Sequence, residues 1–408
     1  MLNSTQKSLI KTSIPALEAH GVELTTLFYK RMLEGNPELK HVFNRAHQLR
    51  GEQQRALATA VLAYARAIDE PEKLLPALRH IAIKHATIGI REEQYAIVGR
   101  YLLEAIRQVL KEAATEELMK AWSAAYGELA EMLARMEQDI YNEATARDGG
   151  WSGWRTFECV RRTPESGGAV SFYLRPVDGG RVPTWKPGQF VSLRTFVKSI
   201  GLMQPRQYTL SAMPSSAGER CLRITVKRID AKDGNPPGLV SNELCRDMKP
   251  GDRVEVSAPT GDFTIDPKES TPLVLIAGGI GITPMAAMIE SIAEENPFRA
   301  VHFLYSTQNS ESCPLLDEVL AALGGMPNSA KAIFFTDPKP TEQLGRDYDC
   351  QGRIHAATLR KLLSRTDAEV MICGPLPFMR AMADALAQIG LKPEKIRMEV
   401  FSTGSFTL

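Results

Sequence analysis

Apolar residues recur at helical spacing along the first part of the chain and at strand spacing along the rest. Residues 1 to about 146 are rich in Ala, Leu, Glu, Lys and Arg, with prolines only at 15, 37, 71 and 76. Ser4 or Thr5 can cap a first helix, and Gly21 and Gly35 with Pro37 bracket a second. Further helices are expected over about 52–68, 72–89, 93–111 and 115–144. Each carries one apolar stripe, and such stripes must pack together or around a cofactor. At Arg147-Asp148-Gly149-Gly150-Trp151 the helix formers give way to glycines. Strand-like runs follow at 155–162, 169–177, 189–195, 207–212, 221–229 and 253–257, with turn signals such as Pro187-Gly188 between them. Six short strands at this spacing suggest a small antiparallel β-barrel. From about 265 short apolar strands at 272–277, 300–305, 332–336, 369–373 and 396–401 alternate with helices, as in a parallel α/β sheet. The expected fold is therefore multidomain: all-α at 1–146, β-barrel at 151–264 and α/β at 265–408.

The helical stripes contain polar exceptions. At 100° per residue, Leu74, Leu75, Leu78, Ile81 and Ala82 share one face and His85 falls in its middle, while His80 points the opposite way. Glu137 sits centrally among Tyr126, Ala130, Leu133, Ile140 and Tyr141. Gln53 shares a face with Leu57, Val61 and Tyr64, and Tyr29 with Val22, Met32 and Leu33. Any one of these is most often a core side chain with a local hydrogen bond. Four in one small helical segment point further: His85 can ligate a haem iron from one side, with Tyr29, Gln53 and Leu57 on the other. A buried carboxylate is costly alone, so Glu137 requires a partner.

Two later stretches read as nucleotide seats. In Arg206-Gln207-Tyr208-Thr209-Leu210-Ser211 strand alternation sets Arg206 and Tyr208 on one face, a guanidinium for phosphate beside an aromatic ring. The Thr209 hydroxyl can bond a polar edge of a flavin. Farther on, the strand at 272–277 runs into Gly278-Gly279-Ile280-Gly281-Ile282-Thr283-Pro284 and then a helix from about Met285 to Glu295. Strand, glycine turn, helix is the context of a pyrophosphate loop, with Pro284 well placed in the first helical turn. Cys373-Gly374-Pro375 ends a strand at the carboxyl edge, where open α/β sheets bind ligands.

Composition narrows the partners. Net charge is +1, from 49 basic and 48 acidic residues, giving no electrostatic reason to expect nucleic acid or an anionic membrane. No run of about 18 apolar residues suggests a membrane span, and the N-terminus lacks a signal-peptide core. Six scattered cysteines without a C-x-x-C pair look like reduced thiols of a cytoplasmic protein.

Taken together, Tyr29, Phe43, Gln53, Leu57, Lys84-His85, Tyr95 and Glu137 resemble a bacterial single-domain globin. Pro187-Gly188-Gln189-Phe190, Arg206 to Ser211 and Pro237-Gly238-Leu239-Val240-Ser241 resemble the ferredoxin-reductase-like flavin domain. The G-x-G-x-x-P loop, Cys373-Gly374-Pro375 with Pro377-Phe378-Met379, and Glu399-Val400-Phe401 resemble its nucleotide partner. In this order the whole chain looks like a flavohaemoglobin. The resemblance implies haem b ligated by His85, polarised by Tyr95 and Glu137, with Tyr29, Gln53 and Leu57 distal. It implies FAD held by Phe190, Arg206 to Thr209 and the helix opened by Gly238, Val240 and Ser241, and NADH or NADPH as donor. Cys373 to Pro375 would border the nicotinamide, and Glu399, Val400 and Phe401 would lie against the flavin. The implied activity is nitric oxide dioxygenation, with O2, NO and NAD(P)H as small-molecule partners, a monomeric state and room for a lipid in the distal pocket. An oxygen carrier or sensor and a general flavin reductase are the other readings. Ser306 to Ser310 contain no Arg to grip a 2′-phosphate, which favours NADH.

Overall fold

The computed structural model describes residues 2–213, 221–231, 234, 236–363 and 368–401. The chain forms two compact units. One comprises the residues up to Trp154 with Arg194–Arg206, the other Arg155–Leu193 with Gln207–Phe401.

The first unit contains α1 (Ser4–Thr12), α2 (Ile14–Gly35), α3 (Arg45–Leu49), α4 (Glu52–Arg66), α5 (Leu75–Ile88), α6 (Glu92–Leu110) and α7 (Glu116–Ala146). The expected helices from 52 onward are present within a few residues. At the N-terminus the expectation fails in two places. The cap of α1 is Asn3, whose side chain accepts from the Gln6 amide at 2.9 Å. Gly21 does not begin α2 but lies inside it, where an added Cβ would sit in ordinary contact with Ala58 at 3.4 Å. Ile10, Leu24, Phe28, Met32, Ala105, Ile106 and Trp122 form the centre of this core. Leu75 and Val22, placed on inward stripes by periodicity, are instead exposed. Leu75 is the first residue of α5, before the stripe turns inward. No helix among the described residues is long and apolar enough to cross a membrane.

Next come β1 (Arg155–Pro164), β2 (Ala169–Pro176), β3 (Phe190–Val197), β4 (Leu202–Thr209), β5 (Leu222–Lys227), α8 (Leu239–Asp247) and β6 (Arg253–Val256). The strand order is β4-β3-β6-β1-β2-β5. An antiparallel bridge between Leu210, just past β4, and Ile224 of β5 joins the two ends of that order and curls the sheet on itself. β4 starts at Leu202, five residues before the expected 207, because Pro205 is tolerated in a strand at the edge of the order. The hairpin 194–206 belongs to the first unit. There buried Gln204 accepts from the Arg45 amide at 3.0 Å and donates to the Lys40 carbonyl at 2.9 Å.

The remainder alternates: β7 (Leu273–Gly278), α9 (Ile282–Glu295), β8 (Val301–Thr307), α10 (Leu316–Gly324), β9 (Ser329–Phe335), β10 (Cys350–Gln351), α11 (Ala356–Leu362), β11 (Glu369–Cys373), α12 (Leu376–Gln388) and β12 (Ile396–Glu399). The sheet is parallel, in the order β10-β9-β8-β7-β11-β12. β7 is apolar and buried on both faces, as a strand covered by helices on both sides must be, while β8 has Val301, Phe303 and Tyr305 on one face and His302, Leu304 and Ser306 on the other. Strand β12 ends at Glu399, so Val400 and Phe401 lie beyond it.

Candidate functional site

In the first unit α5 packs on α7 and brings together three side chains the sequence singled out. His85, near the end of α5, faces Glu137 on α7, with Nδ1 2.9 Å from Oε1. The same ring nitrogen lies 3.1 Å from the Tyr95 hydroxyl, which donates to the same carboxylate oxygen at 2.5 Å. Glu137 is 2% exposed, so its charge is sheltered and its partners are these two groups. Burial, then the Glu137 hydrogen bond, pushes the Tyr95 phenol well above its ordinary range, which keeps it a donor. Tyr126 donates to the Tyr95 carbonyl at 2.6 Å, and Tyr141 to the Ile90 carbonyl at 2.8 Å, fixing the start of α6. Nδ1 carries the bonds described for His85, whose side chain is one-third exposed, leaving Nε2 for an external ligand. This donor set fits a haem iron: one imidazole, oriented from behind by a carboxylate.

Of the residues expected on the distal side, Tyr29 is buried and its ring meets Phe43 edge-on at 5.6 Å between centroids. Burial raises its phenol pKa, so it too stays protonated. Gln53 accepts from Gln48 Nε2 at 2.5 Å and is half-buried, as is Leu57. Its neighbour Gln54 is the deeply buried amide, bonded to Gln48, while its backbone carbonyl accepts from Thr25. Helical periodicity passed over Gln54.

The sequence also missed His47. Burial lowers its pKa to about 4, helped by the charges of Arg206, Arg50 and Lys84. Two of the expected cofactor cations, Lys84 and Arg206, thus act on His47 together with Arg50, while the Glu52 carboxylate lies 3.6 Å from His47 and 3.8 Å from Arg50. Such cations suit carboxylate or phosphate groups. Arg206, Gln207 and Tyr208 are half-buried and Thr209 buried.

In the second unit Phe190 is buried, paired through its backbone with Thr260, and its ring lies against Gly261. Gly238 opens α8, with Val240 and Ser241 buried behind it. Gly238 leaves space for the Ser241 hydroxyl, which a Cβ would approach to 2.5 Å.

The glycine loop follows β7 as expected. Gly279 adopts φ +52 with open space around it, and α9 begins at Ile282. A Cβ on Gly281 would lie 2.3 Å from the Cys373 carbonyl, so this glycine lets the β7 and β11 turns touch. The Phe378 ring covers Gly278 and Gly374. Thr283 is buried and donates to the Ile280 carbonyl at 3.0 Å, and Pro284 is buried in the first turn of α9. Tyr305, which the sequence reading did not select, donates to the Gly279 carbonyl at 3.1 Å and holds the loop from below. Cys373 is fully buried, its thiol pushed well up by burial. It pairs in register with Ala277 and with Glu399, which is 8% exposed, while Phe401 is exposed. Pro375 caps α12.

Comparison with known proteins matches two families: Globin over residues 26–133 and Oxidoreductase NAD-binding domain over residues 275–384. A flavohemoprotein from Bordetella parapertussis is 46% identical over 404 residues, covering 99% of each chain. One from Rhizobium meliloti is 44% identical over the full length of both. Among solved structures, a flavohemoglobin from Malassezia yamatoensis with bound FAD and heme superposes with TM-score 0.85 at 30% identity, covering 98% of this chain and 100% of that one. The FAD/NAD-binding domain of a nitric oxide dioxygenase from Vibrio cholerae has TM-score 0.54 at 30% identity, over 62% of this chain and 99% of that one.

Proposed function

The chain belongs to the flavohemoprotein family, and from that premise we propose that it is a nitric oxide dioxygenase, converting nitric oxide and oxygen to nitrate with electrons from NAD(P)H. When bound, FAD divides a hydride's two electrons into single steps, and haem iron supplies the oxygen chemistry. The chain's own residues bind, orient and polarise. His85 would hold the iron through Nε2, while Glu137 would keep the proton on Nδ1 and make the other nitrogen a stronger donor. Tyr95 holds that carboxylate still. Tyr29, Gln53, Leu57 and Phe43 line the opposite side, where the Tyr29 hydroxyl can donate a hydrogen bond. Lys84, Arg206 and Arg50 offer positive charge to the anionic groups of the cofactors. Gln207, Tyr208, Thr209, Phe190 and the α8 N-terminus at Gly238, Val240 and Ser241 serve the flavin, with Glu399 to Phe401 against it. The amides of Gly278, Gly279, Gly281 and Thr283 would cradle the dinucleotide, with Pro284 fixing the first turn of α9, and Cys373 to Pro375 would border its nicotinamide. In this reading 1–146 carries haem, 151–264 FAD and 265–408 the nicotinamide.

The observation that carries the reading is Glu137, a carboxylate 2% exposed and 2.9 Å from His85 Nδ1. Such a carboxylate pushes electron density through the imidazole toward iron, which serves oxygen activation more than oxygen storage. We further infer a cytoplasmic monomer, its six cysteines all unpaired, with a lipid chain as a candidate guest beside Tyr29, Gln53 and Leu57. The test is NADH oxidation under oxygen, with and without nitric oxide, while nitrate is measured. Nitric oxide should accelerate oxidation and appear stoichiometrically as nitrate. If only artificial acceptors accelerate it, the protein is a flavin reductase.

A further inference from the structure

Inside the second unit one buried cation joins the curled sheet to the nucleotide-binding helices. Arg223 lies on β5 and its side chain is 8% exposed. Its guanidinium grips Glu318 of α10 with both terminal nitrogens, Nη1 to Oε2 at 2.9 Å and Nη2 to Oε1 at 2.6 Å. The same group turns back on Ser211, with Nε donating to its hydroxyl at 3.2 Å and Nη2 to its carbonyl. Ser211 closes the stretch Arg206 to Ser211, two residues past the end of β4, and its amide bonds the Arg223 carbonyl at 2.9 Å. Two residues on, the Met213 amide donates to Glu290 of α9 at 3.2 Å. The end of the flavin strand is therefore tied to both α10 and α9, and α9 is the helix that opens from the glycine loop.

We propose that Arg223, with Glu318 and Glu290, is a positioning group that sets the flavin strand in register with the dinucleotide loop for hydride transfer. The proposal rests on the reading of these stretches as flavin and nicotinamide seats. Interfaces between lobes of one chain are mobile unless something specific holds them. A two-pronged guanidinium–carboxylate contact fixes angle as well as distance, where a single ammonium would fix distance only. Hydride transfer, in which two electrons and a hydrogen leave the nicotinamide together and reduce the flavin, needs reacting atoms within about 3–3.5 Å, and a 1 Å error costs on the order of a hundredfold. The guanidinium contacts of Arg223 run to Glu318 and Ser211, so its effect would pass through Ser211 and α10.

The experiment uses the full-length holoprotein. Arg223→Lys keeps the charge and loses the fork. A double variant, Arg223→Met with Glu318→Leu, replaces the pair by apolar groups, an exchange that leaves stability about unchanged or improved. For each, anaerobic stopped-flow follows flavin reduction by saturating NADH, alongside FAD content, melting temperature and amide hydrogen exchange over 211–213 and α10. The expected result is about a tenfold slower reduction in both variants, with FAD content and melting temperature retained. Amide exchange at Met213 should be about tenfold faster before any nucleotide is added. Reduction within twofold of the parent in both variants overturns the proposal, and so does a slowdown that tracks lost FAD or a lower melting temperature. Because flavin reduction is read without oxygen or nitric oxide, this outcome is independent of whether the protein turns over nitric oxide.

Discussion

Glu137 differs from glutamine by one oxygen and one charge, and that difference decides what His85 can be. In Glu137→Gln an amide still reaches Nδ1 but supplies no negative charge. We expect haem, FAD and fold to be retained, nitric oxide turnover to fall roughly tenfold to a hundredfold, and the iron–histidine stretching frequency to drop in resonance Raman. Turnover and frequency at parental values would leave Glu137 a structural hydrogen bond. His47 yields a pH prediction. Its folded pKa of about 4 lies below its ordinary 6.5, so the unfolded chain takes up the proton first. Stability is therefore unaffected above pH 6.5 and falls as pH drops from there toward 4. The loss is on the order of 1–2 kcal/mol after discounting for solvent screening of a partly exposed ring. Denaturant unfolding of His47→Gln should lack this decline, and an identical pH profile would show that other groups cause it. At this scale His85 and Glu137 were legible because each interrupts an apolar helical face, and Tyr95 only through the family resemblance. His47 and Arg223 were not, since their neighbours Arg206 and Glu318 are 159 and 95 residues away along the chain.

Among the elements, the glycine loop makes the sharpest demand. A Cβ at Gly281 would strike Cys373 O at 2.3 Å and Gly374 N at 2.7 Å, all backbone that cannot swing aside. Gly281→Ala should cost about 1–3 kcal/mol and weaken NADH binding, measured by denaturant unfolding and by titration of flavin reduction. Gly324 at the end of α10 is the control: nothing lies within 4 Å of its added Cβ, so Gly324→Ala should be neutral or stabilise by up to about 1 kcal/mol. Equal effects at the two positions would remove the steric argument. Element type followed from periodicity and glycine–proline punctuation in nearly every case. The errors fell at ends and at two short elements, α3 and β10, which no pattern announced. β4 began early because an edge strand accepts Pro205, and α2 ran through Gly21, since an isolated glycine is tolerated inside a helix.

For the whole molecule the prediction is separability. His85→Ala should abolish stable haem binding yet leave NADH-driven reduction of an artificial acceptor within about twofold of the parent, because the side-chain bonds of His85 run to Tyr95 and Glu137, within the helical unit. A normal haem spectrum in that variant would refute His85 as the iron ligand. The order of helical, curled-sheet and parallel α/β parts was determined by the sequence alone, because side-chain period is a local property: 3.6 residues for a helix, two for a strand. So was the candidate chemistry, since a phosphate loop and a histidine on an apolar face are short-range signals. Only the tertiary structure decided which groups meet. It gave Glu137 and Tyr95 a common oxygen-to-imidazole contact, gathered Arg50, Lys84 and Arg206 around His47, and closed Arg223 on Glu318. These contacts join distant segments, and which distant segments meet depends on how whole elements pack, which no local period encodes.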